Sequence, residues 1–129
     1  MGDTGRHAAP ARILVVDDEP SIRLLCRVNL ELDGHEVLEA DTLAAAREAV
    51  ESGDLDVVLL DVHLQGERSD ALIAECHARR PPIPVVLVTG SADATQDGLT
   101  EADVVLPKPF EIEALLSTVR DLARVHAHG

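Results

Sequence analysis

The stretch Arg12-Ile13-Leu14-Val15-Val16-Asp17-Asp18-Glu19-Pro20-Ser21 decides the architecture. Four consecutive aliphatic residues without polar alternation mark a strand covered on both faces. Two aspartates stop the strand, and an acid, a proline and a serine follow, the chemistry of a helix start. The pattern predicts a helix from about Ser21 to Leu32, ended at Asp33-Gly34, where glycine supplies a left-handed C-cap. A buried strand running straight into a helix is the repeating unit of a parallel sheet.

The unit repeats along the chain. Glu36 to Ala40 reads as a short strand, and Asp41-Thr42 begins an Ala-rich helix that runs to Ser52-Gly53. Asp56 to Asp61 is another apolar strand ending in an acid; Val62 to Ser69 reads as a loop and Asp70 to about Arg80 as a helix. Pro81-Pro82-Ile83-Pro84 breaks that helix, and Val85 to Val88 is the next buried strand. A weak, polar helical stretch covers about Ala92 to Glu101, and Val104 to Leu106 is the last strand. The final helix, about Glu111 to Val125, repeats Ile112, Leu115, Leu116, Val119 and Leu122 at a 3.6-residue period. Five strands alternating with five helices, joined by right-handed crossovers, predict an α/β fold: a five-stranded parallel sheet with helices on both faces. Residues 1–11 read as a flexible leader, 12–125 as one domain and 126–129 as a C-terminal tail.

Composition narrows the function. The 129 residues suit one domain, with 46% hydrophobic and 27% charged residues as in a globular protein. Phe110 is the sole aromatic residue, so the core must be built from Val, Leu, Ile and Ala. With 11 basic against 24 acidic side chains the formal charge is −13. That balance argues against nucleic acid or anionic lipid as a direct partner, because both need a positive footprint. A bound cation, or a partner with a basic face, fits it. No apolar run approaches the ~20 residues of a membrane span, and no secretory segment opens the sequence. Cys26 and Cys76 form no CxxC, and the topology puts them on opposite faces of the sheet, which argues against an internal disulfide and leaves Cys76 open to being a surface thiol. A reducing cytoplasm is the expected compartment.

Sheets of this kind bind ligands at the carboxyl ends of their strands. Those ends carry Asp17-Asp18, Asp61, Thr89 and Lys108. Singly, each has an ordinary explanation as a turn former, a strand residue or a solvated charge. Gathered at one edge, they define a site. Carboxylates brought close repel one another, and a hard divalent cation resolves the repulsion. Mg²⁺ prefers carboxylates, carbonyls and water, and Lys108 would add a point charge beside it. Such a site suits a phosphoryl group, and a carboxylate within it can serve as the nucleophile that accepts one.

The segments Val15-Val16-Asp17-Asp18-Glu19-Pro20, Leu59-Leu60-Asp61, Val88-Thr89-Gly90 and Leu106-Pro107-Lys108-Pro109-Phe110 resemble the receiver domain of bacterial response regulators. The resemblance covers about Arg12 to Val125. It implies a flavodoxin-like (βα)5 fold of strand order 2-1-3-4-5, with Asp61 as phosphoacceptor. Asp18 and Asp61 would bind Mg²⁺ directly, Asp17 mostly through water, and the backbone carbonyl of His63 would complete the protein's ligands. Thr89 would hydrogen-bond a phosphoryl oxygen, Lys108 would pair with the phosphoryl group and Asp61, and the Lys108–Pro109 peptide would be cis. The implied donor is a histidine kinase or a histidine phosphotransfer protein. The domain would be a phosphoacceptor assisting its own phosphorylation and dephosphorylation, not an enzyme.

Several residues depart from the family pattern. Val105 stands where most receivers carry an aromatic ring three positions before the lysine, so an output switch would run through Thr89 and its loop. The Thr89-to-Lys108 segment is about one turn short, and Gly98 weakens any helix there. Gln65-Gly66-Glu67-Arg68-Ser69 replaces the usual Pro-Gly loop. These features are similar to a subgroup of single-domain receivers that lack the aromatic switch. On the first helix, Ile22, Leu25, Cys26 and Asn29 are expected to face the sheet, while Leu24, Val28 and Leu32 form a second stripe. That stripe either packs on the last helix or docks the helical bundle that presents a phosphodonor histidine, since family receivers engage kinases with this helix.

The reading is a stand-alone receiver of a two-component phosphorelay. A receiver cut from a hybrid kinase or a longer regulator is the second reading. A Mg²⁺-dependent phosphatase with an aspartate nucleophile is disfavoured because such enzymes place a second acid two residues on, where His63 sits. An FMN carrier is disfavoured by the acidic first loop, and a never-phosphorylated scaffold by the complete set of acids, threonine and lysine.

Overall fold

A computed structural model describes residues 10–64, 67–90 and 102–128, the side chains of 63, 67, 68, 70 and 124–128 excepted. The elements are β1 (Arg12–Val16), α1 (Pro20–Leu32), β2 (Glu36–Ala40), α2 (Leu43–Ser52), β3 (Val57–Asp61), β4 (His63–Leu64), β5 (Glu67–Arg68), α3 (Asp70–Ala78), β6 (Val85–Thr89), β7 (Val104–Pro107) and α4 (Ile112–His128). The main sheet has five strands in the order β2-β1-β3-β6-β7, every neighbouring pair parallel. This is the 2-1-3-4-5 order of the flavodoxin-like fold.

The continuous apolar runs have the reason expected of them. Leu14, Val16, Val58, Leu60, Val85 and Leu87 are buried in one cluster with Ala46 and Val50 of α2 and Leu72, Ile73 and Cys76 of α3. Their alternates Ile13, Val15, Val57, Leu59, Val86 and Val88 are buried in a second cluster with Cys26 and Leu30 of α1 and Leu115, Leu116 and Val119 of α4. Both faces of every central strand are thus apolar, each buried Leu, Ile or Val contributing roughly 1.5–3 kcal/mol. Val105 packs on the first cluster.

Local chemistry sets the ends of the elements. Pro20 opens α1, and Gly34 at φ 96 follows its C-cap, its N–H donating to the Glu31 carbonyl. Thr42 caps α2 by accepting from the Ala45 N–H at 3.1 Å. The Lys108–Pro109 peptide is cis as expected, and so is Arg80–Pro81.

Four expectations need correction or refinement. Residues 62–69 are not a plain loop: β4 and β5 form a two-residue antiparallel pair, too short for any periodicity to show. Leu25 does not face the sheet but is 41% exposed, because the buried line of α1 runs through Cys26 and Leu30. Cys76 is not a surface thiol; it is fully buried under α3, and burial pushes its pKa up to about 12. Helix α4 continues to His128, into the segment read as a tail. The weak helix expected at 92–101 lies outside the described residues. Among the described residues no helix is long and apolar enough to cross a membrane.

Candidate functional site

The site is built where β1, β3, β6 and β7 end. Strands β1 and β3 are direct neighbours, with Val16 opposite Leu60, so Asp17 and Asp61 each follow one step beyond that pair. Asp17, Asp18 and Asp61 present carboxylate oxygens that all lie within 4.8 Å of one another. Asp17 is buried, Asp61 half-buried and Asp18 exposed, so the cluster grades from the sheet edge into solvent.

Lys108 closes the group. Its Nζ stands 3.1 Å from Asp17 Oδ2 and 3.7 Å from Asp61 Oδ2. Its approach is fixed by the backbone, because the Lys108 N–H donates to the Thr89 carbonyl at 2.7 Å where β6 and β7 run out. Burial works against the ammonium, but the hydrogen bond to Asp17 and the charges of Asp61, Asp17 and Glu19 outweigh it, so the Lys108 pKa lies above its ordinary value. Thr89 is buried at the end of β6, one residue beyond Val88, the register partner of Asp61.

Two further residues shape the site that the sequence pattern did not single out. Arg23, one turn into α1, donates from Nη1 to the Asp17 carbonyl at 2.8 Å and from Nε to Glu39 Oε1 at 3.1 Å, tying the β1 end to α1 and β2. Asp17 Oδ1 in turn accepts from the Glu19 N–H at 2.9 Å. Ser69 sits at the N-cap of α3, but its side chain makes no cap hydrogen bond. Its fully buried hydroxyl lies 2.5 Å from the Asp61 carbonyl and 2.9 Å from that of Val62, anchoring the chain just beyond Asp61.

The donor set fits Mg²⁺. An octahedral ion with oxygens at about 2.0–2.1 Å spans ligand separations of about 3–4 Å. Three carboxylates within 4.8 Å can meet that span with one of them acting through water. The backbone of His63 lies in β4, two residues past Asp61. The stripe Leu24, Val28 and Leu32 is exposed at 58%, 44% and 81%, and none of the three belongs to the buried cluster shared by α1, α4 and the sheet.

Residues 13–120 match the sequence profile of the response regulator receiver domain. The chain belongs to that family. Receiver domains accept phosphoryl groups from histidine kinases in two-component systems and bind Mg²⁺ at an acidic pocket. The chain is 38% identical over 121 residues to the transcriptional regulatory protein TcrA of Mycobacterium tuberculosis, covering 88% of this chain and 46% of TcrA. It is 33% identical over 122 residues to the response regulator FleR of Pseudomonas aeruginosa, covering 92% of this chain and 25% of FleR. This receiver therefore spans half or less of the length of these curated relatives. A CheY-like receiver domain protein from Methanospirillum hungatei superposes with a TM-score of 0.83 at 27% identity, over 93% of this chain and 98% of that one. The response regulator TrrA of Thermotoga maritima, solved with Mg²⁺ and beryllofluoride, superposes with a TM-score of 0.79 at 31% identity, over 87% of this receiver and 98% of TrrA.

Proposed function

We propose that this receiver accepts a phosphoryl group on Asp61 from a phosphohistidine on a histidine kinase or histidine phosphotransfer protein. The observation that carries the reading is the convergence of Asp17, Asp18 and Asp61 on one point, with Lys108 3.7 Å from Asp61 Oδ2. An Asp61 carboxylate oxygen attacks phosphorus; the P–O bond forms as the P–N bond breaks, and the leaving imidazole keeps the electron pair. Lys108 shifts between Asp61 and the incoming phosphoryl oxygens, and the Thr89 hydroxyl hydrogen-bonds one of them. Asp17, Asp18, Asp61 and the His63 carbonyl would hold Mg²⁺, which, when bound, neutralises charge on the phosphoryl group. Ser69 and Arg23 act by positioning. Hydrolysis of the acyl phosphate returns the domain to its starting state.

The docking surface for the donor is the exposed stripe Leu24, Val28 and Leu32 on α1, which offers apolar area to a helical bundle. Two readings of the chain's setting share this chemistry. In one it is a single-domain response regulator, acting by binding or by shuttling phosphate. In the other it is the receiver of a longer regulator, which the greater length of TcrA and FleR favours.

Intact mass spectrometry after incubation with a small phosphodonor and Mg²⁺ tests the core claim. Wild type should gain one phosphoryl mass, Asp61→Asn should gain none, and EDTA should block the gain. Equal labelling of Asp61→Asn would remove Asp61 from the role.

A further inference from the structure

The phosphoacceptor site leaves unexplained a cleft at the opposite edge of the sheet. The turn at 53–56 between α2 and β3 and the turn at 79–83 between α3 and β6 enclose a cavity of about 370 Å³, within the size range of small-ligand sites.

Charge pairing singles this cleft out. Arg12, Arg23, Arg27, Arg47, Lys108 and Arg120 each lie within 4.0 Å of a carboxylate. Among the described side chains, Arg79 and Arg80 are the two Lys or Arg cations that do not, in a chain with 24 acids against 11 bases. Both line the cavity. Arg79 Nη2 reaches the Glu51 carbonyl at 3.5 Å, and Arg80 Nη1 reaches the carbonyls of His77 at 3.3 Å and Arg79 at 3.0 Å. These contacts suit helix ends, but they leave most of the pair's N–H donors without an acceptor among the described residues.

The facing wall is acidic. Asp56 is committed, its Oδ2 accepting the Arg12 N–H at 2.8 Å. Asp54 is held only at its far reach: its side chain is 84% exposed and its Oδ2 pairs with Arg12 Nη1 at 3.9 Å, which leaves its other oxygen facing solvent. Gly53 at φ 85 and Asp54 at φ 68 are consecutive left-handed residues, a conformation that L side chains rarely adopt. Gly53 borders the Arg79 guanidinium, and a Cβ there would meet Nη2 at an ordinary contact distance of 3.7 Å.

We propose that this cleft binds a small bipolar ligand, its phosphoryl or carboxylate group held by Arg79 and Arg80 and its ammonium or hydroxyl donors by Asp54. Two guanidinium-bearing residues lining one cavity suit an oxyanion, and the −13 charge of the chain disfavours a ligand that is anionic throughout. The site is independent of the chemistry at Asp61.

The test is an amide-resolved NMR titration in EDTA, with inorganic phosphate and O-phosphoethanolamine as probes. Saturable shifts should be confined to the two turns, with phosphoethanolamine binding about fivefold more tightly than phosphate. Arg80→Gln should weaken both probes by about fivefold or more, and Asp54→Asn should erase the advantage of phosphoethanolamine. Asp61→Asn should bind as wild type does, so loss of the phosphoacceptor reading would leave this result standing. Non-saturating shifts, shifts spread over the surface, or a folded Arg80→Gln that binds like wild type would overturn the proposal. Asp54 is exposed, so Asp54→Asn keeps the test decisive should the arginine variant misfold.

Discussion

His35 shows how one side chain couples the fold to pH. It is buried beside the N-terminal end of β1, and its Nδ1 accepts the Ala11 N–H at 3.2 Å, which places the ring proton on Nε2. Nε2 is 3.3 Å from Asp33 Oδ2 but off the angle of a hydrogen bond. Asp33 is itself engaged, its oxygens taking Arg120 Nε at 2.9 Å and Nη2 at 2.7 Å, and this fork holds its carboxyl below the usual range. Burial of the His35 ring outweighs the attraction of Asp33, so the His35 pKa is depressed. The unfolded chain takes up a proton near the ordinary value of about 6.5 while the folded ring resists it. The His35 contribution is therefore complete above about pH 6.5 and is lost as pH falls toward the depressed folded value. Urea midpoints should drop between about pH 7.5 and 5.5. His35→Asn keeps an acceptor for the Ala11 N–H without titrating; it should cost about 1 kcal/mol at neutral pH and flatten the drop. Identical pH slopes in the two proteins would place the effect elsewhere.

At the scale of elements, α1 carries both buried and open apolar faces. Cys26 and Leu30 are sealed against the sheet, whereas Leu24, Leu25, Val28 and Leu32 remain exposed. Exposed apolar side chains add little to folding, so Leu24→Ser with Val28→Ser should move stability by no more than about 0.5 kcal/mol each. The same pair should slow phosphotransfer from a kinase several-fold, at about 1 kcal/mol or more of lost encounter energy, and leave labelling by a small phosphodonor unchanged. Equal slowing with both donors would assign the residues to the fold. The two faces also show where sequence reading reaches its limit. The strands were legible because both their faces are buried, so apolar runs such as Val57 to Leu60 carry the signal alone. The site was legible because each strand end delivers one polar set to a shared edge. On α1 the 3.6-residue period left the rotation of the helix open by one residue, enough to misplace Leu25. Arg23 and Ser69 stayed hidden for another reason. Their partners are backbone carbonyls, which have no residue type to read.

The whole molecule carries −13, and three of its carboxylates meet at one sheet edge against a single nearby lysine. General repulsion among the 24 acids is relieved by any salt, because screening depends on ionic strength and not on which cation supplies it. The local cluster behaves differently. A divalent ion that binds the folded site and not the unfolded chain adds RT ln(1 + [L]/Kd), about 2.7 kcal/mol when it stands a hundredfold above its dissociation constant. The two effects separate when unfolding midpoints in MgCl2 are compared with those in NaCl at matched ionic strength. Wild type should be more stable in MgCl2, whereas Asp18→Asn should lose most of that excess and keep the common response to salt. Asp18 is the informative position because it is exposed, so its replacement leaves the buried Asp17–Lys108 contact in place. Coincident MgCl2 and NaCl curves for the wild-type protein would mean that the three carboxylates hold no divalent ion, and the proposed phosphoryl transfer to Asp61 would lose its cation.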